Sequence, residues 1–319
     1  MQSLSPKNEQ SYTPASRFLR SDLACEAAGS EPNRDTPGIV YREYRRGEIS
    51  VARLRIENAL GAERFGREPG TYVTVSCSDI LYQPEAVRQS LIGILSSELR
   101  RMAEEITEKP VTASFHVLVA GLGNVHMTAD ALGPKTLRQI PVTRHLTDAE
   151  DPLLLELSER YATLSVIAPG VLADTGIEAA ELVAAAAREI RPDLIVAVDA
   201  LAARSCDRLG STVQLSDAGV HPGSGIGNRR AALNRESIGT PVIVLGVPTV
   251  VDSSTLVYDA LSRAGISESE ISKELLAVLE NGTSFFVSPK EIDALTEAFA
   301  EILGDAIEQA FSAHFNRFV

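Results

Sequence analysis

The sequence predicts an α/β protein in three layers, αβα, with a mostly parallel central sheet and a small β-rich addition on its amino-terminal side. Three observations predict it. Short apolar runs, Val117-Leu-Val-Ala, Leu194-Ile-Val-Ala-Val and Val242-Ile-Val-Leu-Gly-Val, read as strands buried on both faces. Segments with helical spacing, such as Ile177 to Ile190, separate them, and that alternation builds a parallel sheet covered by helices. Before residue 110 the character differs: three runs alternate apolar and polar residues, the mark of strands with one wet face.

In chain order, residues 1 to about 36 are polar, carry Pro6, Pro14 and Pro32, and show no sustained period, so they read as an extension outside the core. The alternating runs follow: Ile39-Val-Tyr-Arg-Glu-Tyr, Ile49-Ser-Val-Ala-Arg-Leu-Arg-Ile and Thr71-Tyr-Val-Thr-Val-Ser. Pro84 opens a helix in which Val87, Leu91, Ile94, Leu95, Leu99 and Met102 share a face, and Lys109-Pro110 ends it. Residues 23–110 thus form a β-rich region with one helix, and residues 111–319 the α/β core. Pro192 stops the helix that starts near Ile177. From Pro289 to Phe318, Ile292, Leu295, Phe299, Ile302, Leu303, Ile307 and Phe311 predict a long amphipathic helix covering the sheet.

With 319 residues, 44% of them hydrophobic, the chain has ample material for a core. A net charge of −13 argues against direct nucleic-acid binding, which needs clustered Lys and Arg. Cys25, Cys77 and Cys206 are too scattered for a disulfide framework or zinc knuckle and suit a reducing compartment, with Cys206 expected to be an inert thiol. No apolar stretch approaches the roughly 20 residues of a membrane span, and the first residues lack an apolar signal core, so a soluble protein inside the cell is expected.

Chemistry is expected at two aspartates, each just beyond an apolar strand: Asp130, after Phe115-His-Val-Leu-Val-Ala-Gly-Leu-Gly-Asn124, and Asp199, which ends Leu194-Ile-Val-Ala-Val-Asp. Both fall at the carboxyl edge of a parallel sheet, where ligands bind, and two carboxyl groups sharing a site divide into an acid and a base. Asp174, Asp217 and Asp252 also stand near segment ends, and Asp217 and Asp252 could line the cleft or cap a helix. Gly121-Leu-Gly-Asn124 begins like a dinucleotide-binding loop but lacks the third glycine; its other use is a sharp turn that brings Asp130 back over the sheet edge. In His221-Pro-Gly-Ser-Gly-Ile-Gly-Asn228 the N–H groups around Gly223, Ser224 and Gly225 could hold an oxyanion or carboxylate, or the loop could be a plain connection. Ser224 lacks the Gly-x-Ser-x-Gly spacing of a nucleophile elbow. A metal site would have to gather His126, His145 and His221 from separate loops, since no His-Glu-x-x-His spacing is present.

At these residues the chain resembles the germination proteases of spore-forming bacteria, endopeptidases that degrade small acid-soluble spore proteins. The resemblance runs through Arg20-Ser-Asp-Leu-Ala-Cys-Glu-Ala27, Gly121-Leu-Gly-Asn124, Asp130-Ala-Leu-Gly-Pro134, Val142-Thr-Arg-His-Leu146, Ala168-Pro-Gly170, Thr175-Gly-Ile-Glu178, Ala197-Val-Asp-Ala-Leu-Ala202, Arg204-Ser205, the His221 loop and Gly246-Val-Pro-Thr-Val-Val-Asp252. It implies an aspartic-type endopeptidase using Asp130 and Asp199, without a cofactor, assembled as a homotetramer in the spore core. The Gly121-to-Asp130 spacing is similar also to that of hydrogenase maturation endopeptidases, which bind nickel; a metal-dependent peptidase and a nucleotide-binding protein are the alternatives. The family is made as a zymogen, and its substrates are cut after Glu in segments like Thr-Glu-Ile-Ala-Ser-Glu. Ser21-Asp-Leu-Ala-Cys-Glu26 matches that order, which implies a propeptide of residues 1–22 cut between Asp22 and Leu23. Arg204, Arg229 and Arg230 are the expected partners of an acidic substrate side chain.

Overall fold

A computed structural model describes residues 22–23, 37–147, 150–221, 231–281, 285–313 and 315. The alternating runs form the hairpin β1 (Ile39–Arg46) and β2 (Ile49–Ile56), then α1 (Ala59–Phe65) and β3 (Gly70–Ser76). Asn58 starts α1 by accepting from the Leu60 and Gly61 N–H groups, satisfying donors that the first turn leaves unpaired. α2 (Glu85–Thr107) begins directly after Pro84 and stops where Glu108 turns left-handed at φ 55°, one residue before Lys109-Pro110. The strand–helix alternation then follows as β4 (His116–Gly121), α3 (Leu132–Thr136), α4 (Pro152–Glu159), β5 (Thr163–Ile167), α5 (Leu172–Thr175), α6 (Ala179–Ile190) and β6 (Leu194–Ala203). The remaining elements are β7 (Thr212–Ser216), α7 (Arg235–Ile238), β8 (Val242–Asp252), α8 (Ser253–Arg263), α9 (Lys273–Asn281), β9 (Phe286–Val287) and α10 (Ile292–Ala310).

One sheet takes in these strands in the order β1-β2-β3-β7-β8-β6-β4-β5, with β9 paired to the end of β8. Its half made of β5, β4, β6 and β8 is parallel, as the buried apolar runs require. β7 lies antiparallel between β8 and β3, and through it the amino-terminal strands join the same sheet. The αβα class read from the sequence therefore holds, and the β-rich addition is attached edge-on. β7 itself carried a readable signal, Thr-Val-Gln-Leu-Ser, in which Val213 and Leu215 enter the main core while Thr212, Gln214 and Ser216 point to the other face.

Alternation along each central strand feeds two cores. Val117, Val119, Val196, Val198, Ile243 and Leu245 pack under α2 and α10, whereas Leu118, Ala120, Ile195, Ala197, Val242 and Val244 pack under α6. β2 departs from the expected single wet face: Ile49 and Val51 join the first core, and Leu54 and Ile56 join Phe65 of α1 on the opposite side. Among the described residues, no helix is long and apolar enough to cross a membrane.

The carboxyl-terminal helix is shorter than the pattern to Phe318 suggests, because the chain turns at Phe311 to bury its ring. Phe311 is fully buried, stacks on Phe115 with ring centroids 6.3 Å apart, and its carbonyl accepts from Ala162 N–H. Phe311→Ala should lower unfolding free energy by about 3–5 kcal/mol, the cost of an aromatic cavity in a packed core, and urea denaturation measures it. A loss under about 1 kcal/mol would mean the ring contributes little there.

Candidate active site

β4 ends at Gly121 opposite Val198, while β6 runs on to Ala203, so Asp199 lies within its strand and not just beyond it as the sequence predicts, and the chain leaving β4 doubles back at once. Leu122 N–H donates to Val198 O at 2.8 Å, which continues the β4–β6 pairing past Gly121. Gly123 then adopts φ 106°, and a Cβ there would lie 2.0 Å from Asp130 O. Only glycine allows that return. The sharp turn expected of these glycines is thus the local structure. Its product is the short 3-10 turn Thr128–Asp130, in which Asp130 Oδ2 accepts from Asn124 N–H at 2.8 Å. Thr249 of β8 donates its hydroxyl to Ala129 O at 2.7 Å and ties the turn to the sheet. No long helix follows as in a dinucleotide-binding unit; Pro134 falls inside the five-residue α3.

Asp199 sits inside β6, 6% exposed, with Oδ1 accepting from Ala200 N–H at 2.9 Å. Asp130 and Asp199 line one cavity of about 270 Å³, which Asp22, Met127, Leu201, His221, Thr249 and Phe286 also line. A larger groove of about 630 Å³ adjoins it and shares Asp22, Leu201, Val220 and His221. The groove's floor is set by register: Asp199 pairs with Gly246, and Gly246 with Gln214, so one row crosses β6, β8 and β7. Paired residues in a sheet point to one face, so Asp199 and Gln214 face the same side, with the Leu201 side chain packed over the glycine between them.

The Asp22–Leu23 segment lies against this site. Asp22 N–H donates to Ala202 O at 2.9 Å, and Ala202 N–H donates back to Asp22 Oδ2 at 2.8 Å. Leu23 is fully buried against Leu201, Ala203 and Leu209. Gln214 Nε2 donates to Asp22 O at 3.0 Å and Arg67 Nη2 to Leu23 O at 3.3 Å. Arg67, Tyr72 and Gln214 are cleft residues that sequence reasoning missed, since each comes from a segment read only for its strand pattern or not at all.

The other expected residues divide. Gly223, Ser224, Gly225, Arg229 and Arg230 lie outside the described residues, and Arg204 stands half-buried just past the end of β6. Asp252 caps α8, accepting from Ser254 and Thr255 N–H, and Asp174 is exposed in α5. Asp217 lines the groove and accepts from Thr71 N–H at 2.6 Å. His221 reaches the cavity, but His126 and His145 are exposed on separate turns. Among the described residues no three His, Cys, Asp or Glu side chains are grouped to hold a metal ion. Burial, reinforced by Asp259, pushes the Cys206 thiol up, opposite to what a nucleophilic cysteine requires.

The sequence pattern of one family, described as germination protease, matches residues 20–264, a stretch that contains both aspartates and all of the cavity lining except Phe286 and Ser288. The chain belongs to the germination protease family. With it the protein is a protease, a peptide-bond hydrolase. It is 35% identical over 312 residues to the germination protease of Caldanaerobacter subterraneus subsp. tengcongensis, covering 92% of this chain and 94% of that one. To the germination protease of Clostridium tetani it is 33% identical over 322 residues, with 92% and 95% covered. The Bacillus cereus germination protease is 36% identical over 276 residues, 84% of this chain and 73% of its own length.

Asp217 gives the groove a testable electrostatic signature. Burial raises its carboxyl above the ordinary range, with the Thr71 hydrogen bonds opposing, and burial likewise pushes the neighbouring Tyr72 hydroxyl up to about 12. A carboxyl raised on folding favours the fold fully at acid pH and loses that contribution as pH climbs through the raised value. Asp217→Asn keeps an acceptor for Thr71 and removes the buried charge. The variant should therefore gain stability relative to the parent at pH 7, and the difference should shrink toward pH 4 in denaturation series; a pH-independent difference would contradict the assignment.

Proposed function

We propose that the protein is an aspartic-type endopeptidase in which Asp130 and Asp199 share one proton and activate water. The supporting observation is that both carboxyls line a single cavity together with Asp22, whose backbone is bonded to the end of β6. Water is the nucleophile: the ionised carboxyl accepts its proton as oxygen adds to the carbonyl carbon. The protonated carboxyl donates to the carbonyl oxygen or the leaving nitrogen, and the C–N bond breaks to give a carboxylic acid and an amine. This division of labour needs no cofactor.

The same reading makes the chain a zymogen that removes residues 1–22 by cutting between Asp22 and Leu23. Leu23 fills an apolar site and Asp22 stands beside the carboxyls, which is how a bound substrate would lie. In trans, the substrates are small acid-soluble DNA-binding spore proteins cut after an acidic residue and before an aliphatic one. The active species is a homotetramer acting in the spore core during germination, with no direct nucleic-acid or membrane partner. Analytical ultracentrifugation should give four times the chain mass of 34.2 kDa, less the removed segments.

Asp130→Asn and Asp199→Asn should each slow self-cleavage and cleavage of a spore-protein substrate by about 10²–10⁴-fold, the range for losing one general acid or base. Thermal unfolding should still show one cooperative transition. Turnover near the parent rate in either variant would defeat the assignment.

A further inference from the structure

We infer that Gln214 is a catalytic residue, the neutral donor that holds the oxygen of the scissile carbonyl while the carboxyls deliver water. This rests on the reading that the bond cut in cis is Asp22–Leu23. In that bond the carbonyl belongs to Asp22, and its oxygen accepts from Gln214 Nε2 at 3.0 Å. The contact falls within ordinary hydrogen-bond range and comes from a side chain 6% exposed.

Three features aim the carbonyl at this donor. Leu23 is locked between Leu201, Ala203 and Leu209, so the residue after the cut cannot slide. Its own carbonyl is held by Arg67, and the Asp22 N–H by Ala202 O, so the groups on both sides of the peptide plane are fixed. The donor and Asp199 then stand in one row with Gly246 between them, roughly 10 Å apart at Cα from two strand spacings. The Leu201 side chain packs over Gly246 in that row and carries Leu23 on it, so the segment that holds the bond passes between the amide donor and the carboxylate.

The chemistry calls for such a group. When water oxygen bonds to the carbonyl carbon, the carbonyl π pair moves onto oxygen, and that oxygen gains charge before the C–N bond breaks and nitrogen takes a proton. A preorganised N–H aimed at it lowers the barrier without transferring its own proton. The Asp22 oxygen leaves as part of the carboxylate of residues 1–22, and the carbonyl of the next substrate takes its place. A glutamine serving only the framework would have no reason to seat on a departing group.

The test uses the full chain and a synthetic peptide of residues 17–28. Parent, Gln214→Glu and Gln214→Met are purified and checked for cooperative unfolding; both variants keep the shape and remove the donor, so either can decide if the other fails to fold. Self-cleavage is followed by mass spectrometry and the new amino terminus sequenced, and kcat and KM are measured with the peptide. Expected is a loss of kcat on the order of 100- to 1,000-fold, with KM within about threefold of the parent and the parent terminus at Leu23. A parent terminus elsewhere overturns the cleavage-site reading and Gln214's role with it. A Leu23 terminus with variant kcat near the parent value overturns the role of Gln214 alone, as does a rise in KM without a fall in kcat. Persistence of the variants' loss on a background with residues 1–22 already removed supports it.

Discussion

A Cβ on Gly133 would lie 2.3 Å from Leu122 O and 2.5 Å from Val198 O, closer than any side chain can come. That bare approach lets the turn after β4 lie flat on the end of β6, and the placement of both aspartates depends on it. Leu122 continues the sheet for one residue, Gly123 reverses the chain, and the 3-10 turn brings Asp130 back to accept from Asn124 N–H. A residue with a side chain at position 123 or 133 would push the turn outward, carrying Asp130 away from Asp199. The cost would appear first in the cleft, because α3 and the β6 core meet at the same contact.

The cleft owes its breadth to the seam between the two kinds of strand pairing. In a fully parallel sheet each crossover lays a helix on a face, and α6 does this over β4 and β6. Where β7 enters antiparallel between β8 and β3, no crossover helix is needed, and the face bearing Gln214, Ser216 and Gly246 lines a groove instead. Carboxyl ends of parallel strands are the usual ligand edge of α/β proteins. Here that edge opens sideways onto a polar floor, which suits an extended peptide better than a compact cofactor.

Much of this was legible in the residues, and for identifiable reasons. Buried parallel strands must be apolar on both faces, so Val117–Ala120, Leu194–Val198 and Val242–Val247 announced themselves, and α2 and α10 followed from their spacing. The turn that returns Asp130 could be read from Gly121 and Gly123, because glycine in a strand exit has few other uses. Gln214 and Arg67 could not be read that way. Gln214 differs from any polar residue of an alternating strand only by the register β7 takes beside β8, and Arg67 by a groove whose walls come from distant segments. Asp217 and Asp252 began with equal claims; helix capping absorbed Asp252, while Asp217 went to the groove wall. Pairing order across the seam is a three-dimensional fact that local period does not encode.

If the enzyme cuts itself as well as foreign chains, as proposed, it needs a recognition surface tolerant of most sequence. Backbone bonding supplies most of this: the Asp22 N–H donates to Ala202 O, and the Asp22 and Leu23 carbonyls accept from Gln214 and Arg67, while Ala202 N–H donates to the Asp22 carboxylate. Such strand-like addition gives affinity without selectivity, and side-chain pockets then choose the register. The enclosed site of Leu201, Ala203 and Leu209 admits an aliphatic group and excludes a charge, since a charge buried there would have no partner. On the proposed reading, selectivity for the bond preceding an aliphatic residue would follow from this one apolar pocket placed a fixed distance along a backbone cradle. Chains that differ everywhere else can share such a cradle without sharing more than a few residues.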